Sequence, residues 1–329
     1  MRPIPLNFQT LYADLLQSIG LADAVHGSIS TRKIKGKSYL YVTAKDGATR
    51  HQRSLGPATD PDAQAMAAEI RLAAQRAKAR RTTISVLKKA YIPGPSLPLG
   101  RVLEVIANAG LFKKGVVLIG TAAYQTYPCL VGAYLPSSAL VTNDADLLVT
   151  SIVAKDKPQD LEQILQRADP TFKACMSRND KLPKVFRAEN EFQVDVLTKF
   201  GRGRKSPVLV GGLTCSAEAL TFMEYLAEGS TEAIALYGAG VLVSVPPPIR
   251  YAIHKLLIAQ ERKSGLPKRT KDLQQANDLI DVFLNSNRDE FVEELRKVRA
   301  RGPSWRTNID ASLRELRRDV RLGHLTKQN

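Results

Sequence analysis

The sequence predicts an α+β protein with an α/β core, a mixed sheet with helices. A small N-terminal unit of helix and β-meander precedes that core, and a helical C-terminal region follows it. Three observations predict this. Short aliphatic and β-branched runs alternate with helix-period segments between residues 99 and 197. Two proline-rich stretches, Pro93-Gly-Pro-Ser-Leu-Pro98 and Pro246-Pro-Pro248, punctuate the chain. Charge divides along the same lines: the net +16 is made of +9 in residues 1–99 and +7 in 246–329, leaving 100–245 neutral. The expected units are a basic domain over 1–95, a core over 96–245 and a helical domain over 246–329.

At 329 residues the chain has room for two or three cores, and its 44% apolar content is ordinary for a globular protein. No apolar run is long enough to cross a bilayer, and the first residues lack the apolar segment of a signal peptide. Cys129, Cys175 and Cys215 are widely separated and fit neither a zinc site nor a disulfide framework. A soluble cytoplasmic protein without membrane contact is expected. Basic flanks around a neutral centre suggest a polyanion gripped from the sides, nucleic acid first among candidates, with a generally basic soluble surface as the alternative.

In chain order, Phe8, Leu11, Tyr12, Leu15, Leu16 and Ile19 fall at helical spacing over 7–19, with Asn7 as N-cap and Gly20 as stop. Residues 27–34, 38–44 and 49–55 read as three strands, joined by turns at Lys35-Gly36 and Asp46-Gly47. The exposed side of this meander is expected to carry Arg32, Lys33, Lys35, Lys37, Arg50 and Arg53 interleaved with Tyr39 and Tyr41. Such a set binds phosphates and stacks on bases; it also suits a solvated basic face. Asp60-Pro61 opens an Ala-rich helix running to Arg81, whose basic C-terminal end complements the helix dipole.

Past the first proline stretch, residues 99–109 predict a helix closed by Gly110, and Val116 to Ile119 a buried strand. Gly120-Thr121 follows directly and opens a helix, an arrangement that presents free N–H groups and a hydroxyl to a phosphate. Asp144 and Asp146 lie one apart on the next strand, so both carboxylates share a face. Like charges so placed repel unless a cation sits between them, and oxygen-only donors favour Mg²⁺ or Mn²⁺. Residues 158–168 read as a helix; 172–176, 184–187 and 192–197 read as strands, the last presenting Gln193 and Asp195 on its polar face. Gly201-Arg-Gly-Arg-Lys205 lacks the spacing of a phosphate-binding Walker loop and reads as a surface turn, with substrate phosphates as the other use. Helices are expected over 249–260, 271–284, 289–298 and 309–322. Arg250 and His254 share a face of the first, with Lys255 beside them. No His or Cys stands at ligand spacing from His254.

Gly120-Thr121, then Asp144-x-Asp146, then a lone Asp195 on a later strand resembles the signature of the DNA polymerase β-type nucleotidyltransferase superfamily, nearest to the bacterial branch of AbiEii-type toxins. The likeness covers residues 99–258. Thr121 stands where the family usually has Ser, and a longer gap to Asp144 implies an inserted hairpin around 130–141. The resemblance implies a nucleotidyltransferase-fold sheet on which Asp144, Asp146 and Asp195 hold Mg²⁺ or Mn²⁺ and serve as the catalytic acids. Gly120, Thr121, Lys255 and Arg250 would bind the nucleotide. The reaction implied moves an NMP from an NTP, ATP among them, to an acceptor. RNA or tRNA is the leading acceptor, and a protein or small-molecule hydroxyl the alternative. A toxin-like role with an antitoxin partner is also implied, and a non-catalytic nucleic-acid-binding scaffold is the competing class.

Overall fold

The computed structural model describes residues 1–20, 27–46, 49–139, 142–149, 158–176, 181–200, 207–263 and 265–317. The chain opens with α1 (Leu6–Gly20), then β1 (Ser28–Ile34), β2 (Lys37–Asp46) and β3 (Thr49–Pro57) as an antiparallel meander. The long helix α2 (Pro61–Lys89) follows, capped by the Asp60 carboxylate accepting from the Asp62 amide. It outruns its predicted end at Arg81 because no Gly or Pro interrupts the chain before Pro93.

The core then runs through α3 (Leu97–Asn108), β4 (Val116–Ile119), α4 (Gly120–Tyr124), α5 (Tyr127–Val131), β5 (Asp144–Val149), α6 (Leu161–Gln166), β6 (Lys173–Cys175), β7 (Val185–Arg187), β8 (Gln193–Lys199), β9 (Val208–Leu209), β10 (Ser216–Leu220) and α7 (Met223–Leu226). A hairpin of β11 (Thr231–Ala235) and β12 (Val241–Val245) leads to α8 (Pro248–Glu261), α9 (Pro267–Ser286), α10 (Arg288–Arg299) and α11 (Pro303–Glu315). The mixed α+β class predicted from sequence is what the chain adopts. The expected hairpin over 130–141 does not form among the described residues. Pro128 starts α5, Gly132 ends it in the left-handed region, and a 3-10 turn over Pro136–Ala139 follows. The turn at Gly47, the Gly201–Lys205 loop and the last residues of the final predicted helix lie outside the described residues.

Five strands of the main sheet run in the order β4-β5-β8-β10-β9, with β7 also on β8 and β6 on β7. One sheet face sends Val116, Leu118, Ala145, Leu147, Val149, Val194, Val196 and Ala217 into the main core, against α3, α6 and residues of α8 and α9. On the opposite face, Val117, Ile119 and Leu148 pack under Met223 and Leu226 of α7. Strand alternation therefore assigns every odd-numbered residue of β5 to the core and every even-numbered one to the face that α7 only partly covers.

Candidate active site

That partly covered face holds the acids. β5 and β8 are parallel neighbours whose register sets Asp146 opposite Asp195 and Asp144 opposite Gln193. β4 runs antiparallel on the other side, with Ile119 opposite Asp146, so the chain leaves β4 at Gly120 beside the Asp146 carboxylate. The fit there is tight. Gly120 has φ +66°, and a Cβ on it would stand 2.0 Å from Asp146 Oδ2. Glycine is required twice over, by backbone conformation and by the approach of the acid. Thr121, next in line, is almost wholly buried.

Tyr251 of α8 secures the same turn. Its hydroxyl lies 2.9 Å from the Gly120 carbonyl oxygen and 2.9 Å from Gln275 Oε1. One hydroxyl proton serves one acceptor, and the buried Gln275 Nε2 has no other partner. Turning the Gln275 amide over lets Nε2–H donate to the Tyr251 oxygen while Tyr251 donates to Gly120, and puts Gln275 Oε1 in the unpartnered position instead. The Tyr251 ring is itself fully buried, stacked on Tyr124 and edge-on to Tyr127.

Burial, then the charges of Asp144 and Asp195, push the Asp146 carboxyl up to about 6, with Lys255 and Lys268 pulling the other way. Asp195 is also raised, first by burial and further by Asp144. The Gln193 side-chain amide opposes this by donating to both Asp195 oxygens at 2.8 Å. Asp144 accepts from the Thr142 hydroxyl. Among the described residues no three acid, His or Cys side chains stand as a finished metal cage. The donor set is nonetheless hard oxygen on adjoining strands, and the acids repel one another in the absence of a cation. Both properties fit Mg²⁺ or Mn²⁺.

The cations are distributed differently from the sequence expectation. Lys255 is buried, with its Nζ 2.6 Å from Asp272 Oδ1 and 5.1 Å from the centre of the Tyr251 ring. Arg262 Nε holds the other Asp272 oxygen at 2.6 Å. Burial opposes the Asp272 charge, but Lys255 and Arg262 outweigh it and hold the carboxyl below its ordinary value. Lys255 thus acts on Asp146 across space while its ammonium is committed to Asp272. Arg250 is not brought to the acids: it pairs with Glu228 at 3.2 Å and lies over the Tyr225 ring. His254 is buried and kept neutral, its pKa lowered to about 3, first by burial. The cations that sequence reasoning missed are Lys268 and Lys271, in the first two turns of α9. Lys268 acts on Asp146 and Asp195; Lys271, whose own pKa is lowered mainly by burial, senses Asp144. The Lys268-Arg-Thr-Lys-Asp272 run was their visible trace.

The meander requires a correction. All six named basic residues are exposed, but they do not share one face. Arg32 is paired with Tyr39, Ile34 with Lys37, and Tyr41 with Ser54, so Arg32, Lys37, Tyr39, Tyr41 and Arg50 face outward together, with Arg32 lying 5.4 Å over the Tyr41 ring. Strand alternation puts Lys33 and Arg53 on the other face, the one that buries Leu40 and Val42, with Leu40 packing on Ala63 and Ala67 of α2. Lys35 sits in the turn with φ +48°.

Residues 98–299, more than half of the chain, match a family model described as Nucleotidyltransferase. The chain belongs to that nucleotidyltransferase family. Membership brings a nucleoside triphosphate as substrate and nucleotidyl transfer as the class of activity. No curated protein matches the chain. One solved structure, an antigenic nucleotidyltransferase-like protein from Paracoccidioides brasiliensis, aligns at 19% identity over 67% of this chain and 95% of that one, with a TM-score of 0.34. So low a score says nothing about the site of this nucleotidyltransferase. Among the described residues no helix is long and apolar enough to cross a membrane.

Proposed function

We propose that this nucleotidyltransferase moves an NMP from an NTP to a hydroxyl of an RNA, tRNA included, on the face that carries Asp144, Asp146 and Asp195. The observation that carries the reading is the parallel register of Asp146 and Asp195 beside the Gly120 turn. In the reaction an acceptor hydroxyl oxygen bonds to the α-phosphorus, the α–β bridging bond breaks, and pyrophosphate departs with its electron pair. Asp195, raised above an ordinary carboxylate, takes the hydroxyl proton. The Gly120 turn, held by Tyr251, places the polyphosphate next to the acids. Lys268 and Lys271 offset charge on the β- and γ-phosphates. Asp144, Asp146 and Asp195 are the residues that would hold Mg²⁺ or Mn²⁺, which supplies positive charge to the phosphates and acidifies the acceptor hydroxyl. The outward meander face, with Arg32, Lys37, Arg50, Tyr39 and Tyr41, contributes to holding the acceptor. The likeness to the AbiEii branch adds a cytoplasmic, toxin-like role with an antitoxin partner to this reading.

The test is incubation with each α-³²P-labelled NTP, Mg²⁺ or Mn²⁺ and total RNA, beside Asp146→Asn. Label on RNA that the variant loses supports the reading. Label on the protein itself redirects it to a protein hydroxyl. Salt-sensitive RNA binding without label from any nucleotide leaves a nucleic-acid-binding scaffold.

A further inference from the structure

α2 carries a cationic stripe that the acid site does not use. Ala63 and Ala67 bear the meander at one end of this 29-residue helix. With 3.6 residues per turn, Lys78, Arg81, Ser85 and Lys88 fall within about 60° of the line through those two alanines. The C-terminal half of the helix therefore turns the same side toward solvent, and all four residues are exposed. No carboxylate pairs with Lys78, Arg81, Lys88 or Lys89 among the described residues. The stripe ends in a groove of about 530 Å³ between α2 and the β11–β12 turn, lined by Arg81, Ser85, Lys88, Lys89, Tyr237 and Gly238. Glu104 comes near its rim, 3.5 Å from where a Cβ on Gly238 would lie.

Tyr91 stands just past the end of the stripe and is 85% exposed with φ +62°. That left-handed conformation costs an aromatic residue about 1 kcal/mol or more. It is enforced from both sides. The Ala90 carbonyl accepts from the Tyr134 hydroxyl at 2.9 Å, and the buried Ile92 donates its amide to the Leu87 carbonyl at 3.2 Å. Anchored neighbours thus hold the Tyr91 ring out into water, two and three residues along the chain from Lys89 and Lys88.

We infer that the α2 stripe, its groove and Tyr91 form a docking path for single-stranded RNA. The lysines and arginine track the sugar–phosphate backbone, and Tyr91 stacks on an unpaired base. A protruding ring beside unpaired cations suits splayed bases better than a duplex, whose bases are hidden from such a ring. The path rests on the reading that RNA is the acceptor and extends it to a surface outside the acid site.

The experiment measures binding of the full chain to a fluorescein-labelled 20-nucleotide single-stranded RNA by anisotropy over a KCl series. Replacing Lys78, Arg81 and Lys88 together by Gln should lower the slope of log K against log[KCl] by about 2, since each single-strand phosphate contact contributes about 0.7. Replacing three exposed cations elsewhere, Arg101, Lys113 and Lys173, should leave the slope as it is. Tyr91→Ala should weaken binding about tenfold at fixed salt with the slope unchanged, and Tyr91→Phe should restore it. An unchanged slope in the α2 triple variant overturns the inference, as does an equal fall in the charge-matched control. So does displacement by polyglutamate as effective as that by unlabelled RNA. Asp146→Asn should bind like wild type, so loss of nucleotidyl transfer and loss of this path are separate results.

Discussion

Gly120→Ala puts the geometry of the acid site to a quantitative test. An alanine at φ +66° sits in the left-handed region, at a cost of about 1–2 kcal/mol. Its Cβ would start 2.0 Å from Asp146 Oδ2, where real contacts essentially never fall below 3.0 Å. The carboxylate must therefore retreat by about 1 Å, off its rotamer, for roughly another 1 kcal/mol. Gly110 supplies the control: its φ is +72°, and a Cβ there meets nothing within 4 Å. Urea midpoints should place Gly110→Ala about 1–2 kcal/mol below wild type and Gly120→Ala about 2–3 kcal/mol below. Transfer of labelled NMP separates the pair more sharply. A 1 Å misplacement of a catalytic group costs about 10²-fold, so Gly120→Ala should lose that much while Gly110→Ala keeps the wild-type rate. Wild-type transfer by Gly120→Ala would refute the placement of Asp146; equal losses in both variants would reduce the effect to backbone strain.

Asp146 titrates near 6 when folded against an ordinary 3.8, so the folded chain holds this proton longer than the unfolded chain. Without divalent cation, stability should fall as pH rises from about 4 to 6, by at most about 3 kcal/mol, and Asp146→Asn should flatten that part of the urea-midpoint curve. Asp272→Asn strands the buried Lys255 beside Arg262 and should cost about 3–5 kcal/mol, with part recovered by adding Lys255→Met; a loss under 1 kcal/mol would mean the ion pair is not formed. Tyr251→Phe keeps the stacked ring but frees the Gly120 carbonyl and Gln275, so stability should drop by about 1–2 kcal/mol and transfer should slow. Unchanged transfer in that variant would leave Tyr251 a purely structural residue.

The placement of the three acids was legible because it is written in strand alternation. Asp144, Asp146 and Asp195 announce a polar face wherever β5 and β8 lie, and the Gly120 turn follows from the strand before it. What alternation cannot supply is which helix returns to that face. The commitment of Lys255 to Asp272 is a contact between α8 and α9, and the charges of Lys268 and Lys271 converge on the acids only once α9 is docked. Arg250 was expected at the nucleotide together with Lys255, yet it lies five residues earlier on another side of α8, where Glu228 and Tyr225 claim it. The β11–β12 hairpin lies outside the sequence expectation, although Gly238-Ala-Gly240 punctuates its two strands. The meander forms its three expected strands, but its charges divide between two faces because each strand alternates with its own two-residue period.

The hydroxyl of Tyr12 accepts a hydrogen bond from the Ile234 amide at 2.9 Å, and Ile4, Tyr12 and Leu15 share a core with Ile84, Leu87, Ile92, Ile234 and Leu236. Anyone trimming this nucleotidyltransferase to the 98–299 segment that carries the family signature would strip the cover from that hairpin. The fragment would present a sheet amide and two bare aliphatic side chains, Ile234 and Leu236, to water, inviting precipitation in the test tube. A soluble short version is better made by cutting between the meander strands and α2 while keeping the first helix attached through a linker. The opening twenty residues behave as a clasp on the body of the enzyme, sewn to it from more than two hundred positions away.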